Sequence, residues 1–217
     1  MTATNRSTDP GIADSRWSWL YKTSATAALL AGILFLIAVA DLIIASPGHG
    51  TLQAWMSPFQ NNWLVVIFKL HAGVGGIHID KLQIFNFLDL AILALVATVH
   101  IGLYAVLRKT SKIWSIIAVI QPFLGMALFI ATKSAGRSAV MGAGLVISAV
   151  MLRSNAFNKV IADVGLLASI LLLAGDLSAG VIPPSGLIAT LFGIGYVLLM
   201  AWLFLIARRL LQVEARE

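Results

Sequence analysis

The run Ser24-Ala-Thr-Ala-Ala-Leu-Leu-Ala-Gly-Ile-Leu-Phe-Leu-Ile-Ala-Val-Ala-Asp-Leu-Ile-Ile-Ala45 decides the fold. Its only charged residue is Asp41. A helix needs about 20 apolar residues to cross about 30 Å of hydrocarbon, and this run is long enough. The breakers Ser46-Pro47-Gly48-His49-Gly50 end it. Residues 1–22 before it are polar and mixed in charge, unlike a signal peptide, which would reach an apolar region quickly. Trp17, Trp19 and Tyr21 stand where a membrane-interface aromatic belt would be. The pattern predicts a retained first span that also serves as the insertion signal.

The rest of the chain repeats the pattern. Further apolar runs lie at about 82–107, 113–132, 138–152, 160–182 and 186–207. The third contains Pro122, and the fifth closes on Pro183-Pro184. Only 11% of the 217 residues are charged and 59% are hydrophobic, with mean hydropathy +0.94. Soluble domains carry about 25% charged residues, so a soluble enzyme or nucleic-acid-binding module is excluded. The expected fold is an all-α polytopic transmembrane bundle of about six spans. Residues 1–23 form a cytoplasmic tail, 24–210 a single bundle with an external segment at 46–81, and 211–217 a second cytoplasmic tail. There is no Cys, hence no disulfide and no thiolate metal site.

The net charge of +6 is explained by the basic bias of cytoplasmic loops, with no need for nucleic acid as partner. With the N-terminus inside, the inner segments hold Arg6, Arg16, Lys22, Arg108, Lys109, Lys112, Arg153, Lys159, Arg208, Arg209 and Arg216. The outer segments hold Lys69, Lys81, Lys133 and Arg137. Both termini are therefore expected in the cytoplasm and the chain in the bacterial inner membrane. Residues 61–79 are apolar but short, and they include Lys69 and His71. A seventh span there would reverse the charge bias of every later loop. An external interfacial or re-entrant helix accounts for the segment better.

Ionisable groups inside the hydrocarbon cost about 2.5–3.5 kcal/mol each on insertion scales, so they mark candidate sites. Asp41, Asp89 and Asp176 fall within about 6–11 Å of the outer face on three different spans. His71 and His78, in the external segment, stand above them. Oxygen and imidazole donors in one layer suit a divalent cation or a shared proton. The plain alternative is that each Asp is protonated, or bonded to a Ser, Asn or backbone group of a neighbouring helix. Asn86 and Ser178 are near enough in sequence to take part. Asp163, at the cytoplasmic start of the fifth span, suits a helix N-terminus. His100 stands alone in the inner half of the second span, where a hydrogen bond across helices is expected. No cofactor is expected, and a two-His haem does not fit. Gly136, Gly142 and Gly144 give the fourth span a small-residue face suited to helix packing or dimerisation. The Gly73-Val74-Gly75-Gly76 stretch lacks the Lys-Ser/Thr of a phosphate loop.

Residues 151–165 read Met-Leu-Arg-Ser-Asn-Ala-Phe-Asn-Lys-Val-Ile-Ala-Asp-Val-Gly. This stretch resembles the join in a large group of uncharacterised bacterial six-span membrane proteins. In that group an apolar span ends in Leu-Arg-Ser, a Phe and a polar residue follow, and a Gly-containing span begins. Tyr104-Ala105-Val106-Leu107-Arg108-Lys109 is similar to the same group's second-span exit. The resemblance implies a six-span inner-membrane protein and carries over no catalytic residue. Its members have a longer polar connection between spans three and four, here shortened to Lys133–Arg137. The expected function is a non-enzymatic transporter-like or accessory bundle with an outward-facing Asp layer. The alternatives are a metal-dependent membrane hydrolase using an Asp/His site, and a scaffold subunit of a larger complex. The lipid bilayer is the expected partner, with a homo-oligomer or another membrane protein as further candidates.

Overall fold

The computed structural model describes residues 17–45, 81–131, 133–178 and 186–214. They form six α-helices, and no strand occurs among the described residues. In chain order these are α1 (Ser18–Ala45), α2 (Lys81–Leu107), α3 (Lys112–Ala131), α4 (Lys133–Leu152), α5 (Lys159–Ser178) and α6 (Gly186–Glu214). Residues 46–80 of the expected external segment lie outside the described residues, and Lys81 begins α2. Among the described residues, four helices are long and apolar enough to cross a membrane, over Ser18–Ile37, Leu90–Leu107, Lys159–Ser178 and Thr190–Val213. The apolar parts of α3 and α4 are shorter, Lys112–Leu128 and Ser138–Leu152.

Several helices outrun their apolar stretches. The first begins at Ser18, so Trp19 and Tyr21 ride on the helix itself. The last continues seven residues past Ala207, carrying Arg208 and Arg209 on its final turns. Lys133 and Arg137 belong to the first turns of α4. Backbone hydrogen bonding continues wherever the residues permit it, and only the apolar core must match the bilayer. α3 runs through Pro122 without a break.

Each helix packs on its sequence neighbour, and α6 returns to pack on α1, which closes the six into a ring. Neighbours are antiparallel. On α1, Ser24 Oγ donates to the Thr98 carbonyl in the second half of α2, 3.0 Å away. Phe35, further along α1, meets Tyr196 near the start of α6, with ring centroids 5.9 Å apart. The connections reinforce this order. Asn158 Oδ1 accepts from the Val160 amide at 3.2 Å and caps the start of α5. The Arg209 Nε donates to the Ala156 carbonyl at 2.8 Å, tying the α4–α5 turn to α6. The Arg108 guanidinium sits 4.9 Å above the Trp17 ring, joining the end of α2 to the start of α1.

The densest core lies toward that end, around Tyr21, Leu103, Ile147, Met151, Trp202 and Ile206, all nearly inaccessible. The outside of the ring is apolar too. Leu30, Ile37, Ile120, Leu167, Ile194 and Val197 are all exposed. An exterior of this kind is stable against lipid and not against water, which makes the chain a membrane protein.

Close helix approach is reciprocal between α4 and α5. A methyl on Gly144 would lie 2.7 Å from Ser169 Oγ, and one on Gly165 would collide with Ser148 Oγ and Trp202 Nε1. The two helices thus interlock through a Gly-x-x-x-Ser pair on each. Replacing Gly165 by Val is expected to lower the melting temperature of the detergent-solubilised protein. Overpacking of a filled interface costs about 1–3 kcal/mol. Gly193→Ala, where a methyl meets nothing within 4 Å, is expected to leave it unchanged. Equal effects would show that the interlock is not a constraint.

Candidate functional site

The centre of the ring encloses a cavity of about 70 Å³. Its wall draws on five of the six helices: Phe35 of α1, Ile92, Val96 and His100 of α2, Gly144 of α4, Ser169 and Leu172 of α5, and Tyr196 and Trp202 of α6, among others. The wall is almost wholly apolar, with a few polar groups set into it. Small residues on α4 and α5 face large aromatic ones on α1 and α6, and this unequal pairing leaves space at the axis.

His100 stands on the wall and is fully buried. Its Nδ1 lies 2.8 Å from the Val96 carbonyl, four residues back on the same helix. A carbonyl can only accept, so Nδ1 carries a proton. This hydrogen bond lies within α2, and the contact expected across helices is with α4. The Ala143 carbonyl of α4 also faces the ring, but Nε2 closes no hydrogen bond. Trp202 packs edge-on against His100, with centroids 6.4 Å apart. Its Nε1 is buried without a partner, as is the Ser148 Oγ beside it at Gly165. His100 Nε2, Trp202 Nε1 and Ser148 Oγ are thus three buried polar atoms without a hydrogen-bond partner. Leaving such groups bare costs about 1–3 kcal/mol each, a cost that a bound polar molecule relieves.

Asp176 stands on α5 one turn beyond the cavity residue Leu172. Ser138 Oγ of α4 donates a hydrogen bond to its Oδ2. Ser178, near in sequence, instead donates to the Ala174 carbonyl of its own helix at 2.6 Å. Asp41 falls on α1 and Asp89 on α2, four residues before the wall residue Leu93. Their side-chain surroundings, together with His71 and His78, lie outside the described residues. Among the described residues no group of three or more His, Cys, Asp or Glu could hold a metal. Asp163 is exposed in the second turn of α5. In the fourth helix, Gly142 faces Gln121 of α3 and Gly144 faces Ser169 of α5, while the Gly136 carbonyl lies against Gly125 of α3.

Ser148, Ser169 and Trp202 escape a reading of the sequence, because a lone Ser or Trp in an apolar run looks like packing. The usable signal is the spacing: Gly144 with Ser148, and Gly165 with Ser169, repeat a four-residue interval on consecutive antiparallel helices. No protein-family model, curated protein or solved structure matches the chain, so the functional reading rests on its own residues.

The Ser138–Asp176 contact can be measured by a double-mutant cycle in detergent melts, using Ser138→Ala and Asp176→Asn. A coupling of about 0.6–1.7 kcal/mol, the range for hydrogen bonds between membrane helices, is expected. Additive single effects would show that the two residues do not act together.

Proposed function

We propose that the chain is a six-span inner-membrane protein with both termini in the cytoplasm. It acts without enzymatic chemistry, as a transporter-like or accessory bundle that handles a proton or small cation. In this reading Asp41, Asp89 and Asp176 form an outward-facing layer, with His71 and His78 above it. The central cavity continues that layer toward the middle of the membrane. The observation that supports the reading is the position of Asp176, a carboxylate one turn from an axial cavity walled by five helices and containing His100. Intramembrane ionisable residues generally face a bundle interior or a water-filled path, and charged groups along such a path set what passes. The antiparallel order of six helices also agrees with the placement of eleven of the fifteen Lys and Arg residues on one side.

The natural absence of Cys makes the topology directly measurable. A membrane-impermeant maleimide added to intact spheroplasts is expected to label Ser134→Cys, and to label Ser111→Cys only after permeabilisation. The opposite pattern would invert the proposed orientation. For activity, purified protein in liposomes is expected to pass protons or a divalent cation above the rate of empty vesicles. The triple variant Asp41→Asn, Asp89→Asn, Asp176→Asn is expected to lose that flux while keeping its helical content. Flux equal to empty vesicles, or unchanged by the triple variant, would refute the proposal.

A further inference from the structure

A second cleft of about 490 Å³ opens at the opposite end of the ring from Asp176, between the start of α5 and the end of α6. Arg208, Arg209, Asn155 and Gln212 supply one part of its wall, and Val160 and Leu205 another. The two parts meet where the apolar runs of α5 and α6 give way to basic residues, at the level of a membrane–water interface. No carboxylate lines the cleft, and no carboxylate pairs with Arg208 or Arg209 among the described residues. Arg209 is already fixed by its Nε bond to the Ala156 carbonyl, so its remaining N–H groups are oriented before anything binds. Arg208 is exposed beside it. The first amides of α5 are taken by Asn158, whose Oδ1 and carbonyl accept from Val160 and Ile161. The positive character of the cleft therefore comes from the two guanidinium groups.

We infer that this cleft binds the phosphodiester headgroup of an anionic phospholipid, with an acyl chain laid along Val160 and Leu205. A guanidinium pair matches phosphate oxygens in geometry and charge. Basic clefts between membrane helices at an interface hold anionic headgroups by the same chemistry. Val160 is 58% exposed and gives the chain an apolar track beside the charged wall. A zwitterionic lipid brings an ammonium group toward two uncompensated arginines, so it binds less well. This site does not depend on the proposed transport role or on which way the chain crosses the membrane.

The test uses the full chain in mild detergent with equimolar phosphatidylglycerol and phosphatidylcholine, read by native mass spectrometry. Phosphatidylglycerol is expected to be retained in preference. Arg208→Ala is expected to reduce its occupancy about fivefold, the usual weight of one interfacial basic residue. Lys112→Ala removes the same charge from the same end of the bundle, on α3, and is expected to change nothing. Three results would overturn the inference. They are equal retention of the two lipids, equal losses in the two variants, and displacement of the lipid by equimolar glycerol phosphate, which would mark a site for a soluble phosphate.

Discussion

Helices in lipid gain nothing from burying apolar faces against each other, because the surrounding tails are as apolar as Leu. Their association depends on close contact. In this protein such contact is reciprocal between α4 and α5, with Gly144 against Ser169 and Gly165 against Ser148. The same position, Gly165, also receives Trp202 from α6. One small residue therefore sets the approach of three helices. Gly102 plays a comparable part for α1 and α2, where Ser24 enters the groove and bonds the Thr98 carbonyl.

The cavity follows from this arrangement. Where α4 and α5 meet through small residues, the opposite side of the ring presents Phe35, Tyr196 and Trp202. Such unequal partners cannot fill a ring of six to its axis. The polar atoms left there, His100 Nε2 among them, give the space a chemistry that a plain packing defect would lack. Asp176 and its Ser138 partner are one turn away, so the single described carboxylate of the layer is connected to the cavity by helix geometry. At the other end, α5 and α6, two of the five helices that wall the cavity, flank a basic cleft.

The sequence made the helices legible because composition and run length determine what crosses a bilayer. Each of the six apolar runs falls on one of the described helices. Helix ends were less legible, since Lys133, Arg137, Arg208 and Arg209 extend helices beyond the apolar stretch that announced them. The closure of α6 on α1 was not legible, because nothing in a linear pattern says which distant helices touch. The candidate site divides in the same way. Asp176 was conspicuous as a charge in an apolar run, whereas nothing in the preceding run announced Ser138 as its hydrogen-bond donor. The cavity groups Ser169 and Trp202 carried no signal as single residues. They become functional candidates only through the neighbours that the ring gives them.

The account stands on the ring being closed by α1 and α6 around an axial space. In the Cys-free chain this is measured by introducing Phe35→Cys with Tyr196→Cys, and Phe35→Cys with Ile120→Cys on α3, and treating membranes with a short bifunctional thiol reagent. A closed ring predicts efficient cross-linking of the first pair, whose native rings are 5.9 Å apart, and none of the second. No cross-link between positions 35 and 196, or equal cross-linking of both pairs, would contradict it.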